Sequence, residues 1–138
     1  MRTRRQFILV LGVAAVSLFG TAALAAQPSV EVIALAHSPV QNALKPVREV
    51  LAKYAGKVRV VEVDAESPDG NKRLKAVGLK GHIPIAILID GRKTFKRADG
   101  TTIEFVNFPV AAGNPLGLNG TWTVGDFETA LRVALGEK

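Results

Sequence analysis

The chain has 138 residues, a formal net charge of +6 and no cysteine. The lack of thiols excludes disulfide bonds, thiolate nucleophiles and dithiol–disulfide exchange. The basic residues are scattered and carry no interleaved aromatic side chains, so we expect no nucleic-acid partner.

The first 25 residues have the pattern of a cleavable export signal. A cationic start that includes Arg4 and Arg5 precedes an apolar run over residues 8–24, and small residues end the segment at Ala23 and Ala25. The run falls short of the ~20 strongly apolar residues that a membrane span needs. We therefore expect cleavage after Ala25, no permanent membrane anchor once the signal is removed, and a periplasmic location in a bacterium.

The segment from Thr3 to Leu9 also resembles the twin-arginine export motif of bacteria. It pairs Arg4 with Arg5 and continues through Phe7, but Leu9 stands where the motif usually has a basic residue. Because paired arginines also begin ordinary secretory signals, the twin-arginine route and the general secretory route both remain open. With the signal gone, three of the 18 basic residues and none of the 12 acidic ones are lost, so the net charge falls from +6 to +3.

The remaining residues, 26–138, are predicted to form a single domain. The β-branched and apolar run from Val30 to Ala36 predicts a central strand covered on both faces. A helix follows, with Ser38 as its cap and Pro39 in its first turn. Apolar residues three to four positions apart continue that helix toward residue 56, and Pro46 inside it predicts a kink.

The next elements alternate in the same way. Residues 58–63 predict a second strand, residues 71–77 a short helix ended by a glycine, and residues 85–89 a third strand. The Asp90-Gly91 pair is a tight-turn signal that leads to a fourth strand over residues 93–96.

Residues 97–120 have a different texture and are predicted to be an insertion loop before the last helix, with a strand near residues 102–106. Phe105, Phe108 and Trp122 flank this loop, and they either form a contact surface or hold the loop onto the core. Thr123 followed by Asp126 indicates a capped start for the last helix.

This order of elements resembles the thioredoxin-like superfamily. The matching features are the strand that runs into His37-Ser38-Pro39-Val40, the proline at Pro46, the Ile83-Pro84 pair ahead of the third strand, and the Asp90-Gly91 turn. The resemblance implies a three-layer α/β fold: a central mixed sheet of about four to five strands, helices on both faces, and the 97–120 insertion.

The resemblance also implies a site. The family's Cys-x-x-Cys positions correspond to His37 and Val40, or, if the match is made on Pro46, to Ser38 and Gln41. In thioredoxins the proline that matches Pro84 is cis, and the backbone of the preceding residue, here Ile83, pairs with an extended peptide or ligand. The binding residues implied for this chain are His37, Ser38, Pro39, His82, Ile83 and Pro84.

The expected function is therefore an exported thioredoxin-like binding or accessory domain without a redox centre. Such a domain has no dithiol–disulfide oxidoreductase chemistry and binds a partner protein, a peptide or a small ligand at the cis-proline loop, and the sequence leaves open whether it is an enzyme. The alternative is a periplasmic metal-binding or redox-accessory protein that uses His37 and His82, the two histidines of the chain.

The alternative depends on the two loops converging. If the strands before His37 and after His82 are neighbours, the rings should approach within about 10 Å. Imidazole binds Cu or Zn, but no third ligand is evident and no other cofactor is expected. A pair of rings that only fill space and bond the backbone is the third interpretation.

Overall fold

The computed structural model describes residues 26–110 and 117–137. Its central element is a three-stranded mixed sheet made of β1 (Ser29–Ala34), β2 (Arg59–Asp64) and β3 (Ile85–Ile89), in the order β2-β1-β3. β1 runs parallel to β2 and antiparallel to β3. All five residues of β3 are buried, as its unbroken apolar sequence predicts. The outer edge of β2 pairs with no other strand among the described residues.

The predicted single sheet of four to five strands is not what the structure has. β4 (Thr94–Lys96) and β5 (Thr102–Glu104) form a separate antiparallel pair. Asp90 and Gly91 make the predicted tight turn with φ values of 49° and 76°, as a type I′ turn requires. Only a single bridge between Ile89 and Arg92 joins the two sides of that turn before β4 turns away to pair with β5.

The chain returns to the free edge of β3 after β5. The Ile87 N–H donates to the Phe105 carbonyl at 2.9 Å, and the Asn107 N–H donates to the Ile85 carbonyl at 2.8 Å. These bonds flank an antiparallel bridge between Ala86 and Val106. Residues 105–107, which lie in the predicted insertion, therefore cover the edge of β3 that β4 leaves open.

The helices are α1 (Ser38–Ala43), α2 (Lys45–Lys53), α3 (Pro68–Ala76) and α4 (Val124–Ala134). At the predicted kink, Leu44 separates α1 from α2 and Pro46 lies in the first turn of α2, while the Leu44 backbone stays in the right-handed helical region (φ −83°, ψ −12°). Pro46 lacks the N–H that would otherwise bond the Asn42 carbonyl, so one continuous helix would lose that bond.

Helices cover both faces of the sheet. Glu62 on β2 pairs in register with Val32 on β1, so Glu62 and the neighbouring Glu31 point to opposite faces. Arg48 of α2 bonds Glu62, while Arg73 of α3 bonds Glu31. Thus α2 and α3 lie on opposite faces, and α4 packs beside α2.

Two helix starts depend on capping side chains. The Ser67 hydroxyl accepts the Gly70 N–H at 3.0 Å, which starts α3 three residues earlier than the predicted range 71–77. At α4, Thr123 accepts the Asp126 N–H at 3.1 Å, and the Asp126 carboxylate accepts the Thr123 N–H at 2.8 Å. This capping box confirms the predicted start of the last helix.

The aromatic residues around the predicted insertion hold the segment onto the core. Phe105, Phe108 and Trp122 are at most 1% exposed. The Phe105 ring meets Trp122 edge-on at 5.6 Å, and the Trp122 indole N–H donates to the Val106 and Asn107 carbonyls at 3.2 Å. Of the two interpretations, the packing role is therefore the one observed.

Gly120 is needed beside these aromatic residues. A Cβ at this position would collide with the Val106 carbonyl oxygen and would lie 2.9 Å from Cδ1 of Trp122. Only glycine lets the backbone pass this close to the indole.

Some predicted segments lie outside the described residues, namely the signal over residues 1–25 and residues 111–116 of the insertion. Within residues 26–110 and 117–137, no helix combines the length and apolar character needed to cross a bilayer.

Candidate functional site

The loops that carry the two histidines leave the sheet side by side. Ala34 at the end of β1 pairs with Ile85 at the start of β3, so the chain after β1 lies next to the chain before β3. The Leu35 N–H extends this pairing by donating to the Pro84 carbonyl at 3.0 Å. The His37 and His82 ring centres lie 6.2 Å apart with a 38° angle between the ring planes. The predicted approach within about 10 Å is confirmed.

Most of the predicted site residues reach the solvent. His37, Ser38 and His82 are exposed, Pro39 and Ile83 are partly buried, and Pro84 is buried. The five residues whose side chains are exposed or partly buried are here named the paired-loop surface: His37, Ser38, Pro39, His82 and Ile83. The buried Pro84 lies next to Ile83 in the chain and is not part of this surface.

Two details of the site differ from the expectation. The N-cap of α1 is His37 rather than Ser38, and no side chain bonds the first free N–H groups, although Pro39 does lie in the first turn. The Ile83–Pro84 peptide bond is trans, since no cis bond occurs in the described residues, and this corrects the predicted cis proline. Trans is favoured by about 0.5–1 kcal/mol at an ordinary X–Pro bond.

A chain of polar contacts fixes the end of β1 just before His37. The Gln41 side-chain amide donates to the Leu35 carbonyl at 2.8 Å, and Arg48 Nη2 donates to Gln41 Oε1 at 2.7 Å. Arg48 also bonds both carboxylate oxygens of Glu62 at 2.9 and 3.1 Å. The hydrogen bond that Arg48 donates to Glu62 raises the pKa of Arg48, so the guanidinium stays charged.

Sequence reasoning missed this chain of contacts. Gln41 and Arg48 are seven residues apart, and that spacing places them on one side of a helix even across the break at Leu44. The register that brings Glu62 to the same place could not be read from the sequence, because it depends on how β2 pairs with β1.

A cleft of about 310 Å³ opens beside His82 and Ile83. Leu35, Ala65 and Leu74 form its buried apolar floor. Glu66 and Asn71 supply a polar rim. This volume is at the lower end of the ~300–1,000 Å³ typical of ligand pockets, so the cleft suits one side chain or a small ligand.

Glu31 on β1 forms an ion pair with Arg73 of α3, the helix beside this cleft. Its carboxylate accepts a bond from Arg73 Nη1 at 2.7 Å, and Arg73 Nε bonds Asp69 at 2.9 Å. The hydrogen bonds that Arg73 donates to Glu31 and Asp69 raise the pKa of Arg73, and the bond to Glu31 has the larger effect. Glu31 therefore helps hold α3, which forms one wall of the cleft, against the sheet.

The site offers two imidazoles and no larger cluster of metal ligands. Within the described part of the chain, no group of three or more His, Asp or Glu side chains could hold a metal ion. The paired-loop surface can hydrogen-bond a ligand, take up a side chain in the cleft, or contribute two nitrogen ligands.

Comparison of the chain with protein-family models, with curated proteins and with solved structures finds no match. Its function is therefore inferred from the geometry of the paired-loop surface.

Proposed function

We propose that this chain is an exported, thioredoxin-like binding or accessory domain without redox chemistry. Its paired-loop surface binds a partner protein, a peptide or a small ligand. The observation that carries this proposal is the convergence of two exposed loops, with ring centres 6.2 Å apart, beside a cleft of about 310 Å³. Loops held by a rigid sheet are frequent binding sites.

The arrangement of the sheet supports the thioredoxin-like part of the proposal. A mixed sheet with helices on both faces is what the resemblance implies, and the three-stranded sheet has β1 parallel to β2 and antiparallel to β3. Residues 105–107 supply an antiparallel segment at the free edge of β3. The trans bond before Pro84 is a departure from the family pattern.

The loop backbone supports binding of an extended ligand. The Ile83 N–H is already bonded to the Gly81 carbonyl at 3.1 Å, whereas the Ile83 carbonyl accepts no bond from the described residues. An extended peptide can donate one backbone N–H to this carbonyl and place a neighbouring side chain in the cleft. Binding of this kind needs no nucleophile, which agrees with a chain that has no cysteine.

The periplasmic location in the proposal is supported by the sequence of residues 1–25. A positive start, an apolar run and small residues at Ala23 and Ala25 form the pattern that export machinery recognises. The partner or ligand is then one that is present in the cell envelope.

Site-specific photocrosslinking in the cell envelope tests the proposal. A photoreactive phenylalanine derivative replaces Ser38 in one variant and His82 in another, and Ala52, exposed near the end of α2, serves as the matched control. We expect both loop positions to give the same adduct mass and the control position to give none. Absence of any shared adduct, or equal labelling from Ala52, would refute binding at the paired-loop surface.

A further inference from the structure

We propose that His37 and His82 together bind one transition-metal ion of the copper and zinc class. The site lies on the same surface as the proposed function, but it requires only the two rings and no partner. Neutral imidazole is a good ligand for Cu and Zn, whereas Mg and Ca prefer oxygen ligands.

The ring separation fits a shared ion. Two imidazoles that bind one ion at metal–nitrogen distances of ~2.0–2.1 Å have their ring centres roughly 5 Å apart when the nitrogen–metal–nitrogen angle is tetrahedral. The ring centres are roughly 6.4 Å apart when that angle is linear. The observed separation is 6.2 Å. This separation lies between the values for a tetrahedral and a linear arrangement, so rotation of the exposed side chains can bring one nitrogen of each ring to a shared ion without a change in the backbone.

The ring nitrogens are available. Neither imidazole takes part in a hydrogen bond or an ion pair with the described residues, and both side chains are exposed. Histidines that only fill space are usually packed, with a ring nitrogen bonded to a protein group. The exposed, unbonded rings argue against the space-filling interpretation and leave their nitrogens free to bind a ligand.

The backbone that carries the rings is fixed. Leu35 is bonded to Pro84 across the two loops, and its carbonyl is bonded to Gln41. A preformed separation lowers the ordering cost of metal binding. Because the described residues supply two ligands and no cluster of three, the other positions on the ion stay open to water or to donors of a bound molecule.

Imidazole NMR of the untagged, chelator-treated protein tests this inference, because the chain has two histidines and every imidazole signal belongs to the proposed site. On titration with Zn(II), we expect both rings to shift together and to saturate at one ion per chain. Competition with Cu(II) should displace the zinc, since copper binds such ligands more tightly.

Variants separate this site from adventitious surface binding. His37→Ala and His82→Ala should each lower the Zn(II) affinity at least tenfold, while Lys80→Ala, an exposed position two residues before His82, should change it less than twofold. Both histidines are exposed, so the variants should unfold at the temperature of the parent. Independent shifts of the two rings, or unchanged affinity in either variant, would overturn the metal site. Photocrosslinking repeated with a chelator tests partner binding separately from the metal.

Discussion

The ion pair between Arg97 and Asp126 should make the stability of the fold depend on acidity. Arg97 donates to both carboxylate oxygens of Asp126, at 2.8 and 2.6 Å, and the Asp126 side chain is only 14% exposed. The hydrogen bonds from Arg97 lower the pKa of Asp126 from 3.8 to about 2. At ~1.4 kcal/mol per pKa unit, this lowering corresponds to about 2.5 kcal/mol of folding stability at neutral pH. Because Arg97 is partly exposed and solvent screens the ion pair, we expect a contribution of about 1–2 kcal/mol.

The sign of the pH effect follows from the two states. Because the folded pKa of Asp126 is the lower one, the unfolded chain binds the proton first, and this stabilisation is lost as the pH falls from about 5 toward 2. Asp126→Asn should therefore lower the free energy of unfolding by about 1–2 kcal/mol at pH 7 and by much less near pH 2. Urea unfolding at a series of pH values measures both quantities.

An acid-to-amide change on the same helix provides the control. Glu128 lies 3.2 Å from Lys53, whose side chain is 60% exposed, so Glu128→Gln should change the free energy of unfolding by less than about 0.5 kcal/mol. Equal losses in the two variants, or an unchanged pH dependence in Asp126→Asn, would refute the reasoning.

Two further predictions concern packing and export. Gly120→Ala should lower the free energy of unfolding in urea by about 1–3 kcal/mol, because its Cβ collides with the Val106 carbonyl. Gly125→Ala on α4 is the control: its Cβ would meet only Thr123 Oγ1, at an ordinary contact distance of 3.6 Å, so the helix propensity of alanine should raise the free energy slightly. Equal effects would contradict the packing argument. Residues 1–27 fused to a reporter should direct it to the periplasm, and a reporter retained in the cytoplasm would exclude the signal. Changing Arg4 and Arg5 to lysine should block export on the twin-arginine route, so continued export would leave the general route.

Local sequence signals predicted the local structure well. The apolar run gave β3 with the predicted bounds, Asp90-Gly91 made the predicted turn, and Thr123 formed the predicted capping box. Each of these depends on residues close together in the chain. The segment that covers the free edge of β3 could not be predicted in the same way, because Val106 pairs with Ala86 across 20 positions of the chain.

The site was predictable in part for the same reason. The approach of His37 and His82 followed from two neighbouring strand ends. The contacts from Arg48 to Glu62 required the register of β2, which a sequence with several valines does not fix. The cis bond at Pro84 was carried over from the family resemblance, and no local residue required it.

The open edge of β2 has a consequence for the chain at high concentration. Unpaired N–H and C=O groups along an edge strand can accept a strand from another molecule, which is a route to aggregation. Three of the six residues of β2 are charged: Arg59, Glu62 and Asp64. Its exposed large apolar side chain is Val60. Strand addition would crowd these charges against an incoming chain and remove water from them. The edge can thus stay open to solvent while discouraging fibril-like growth.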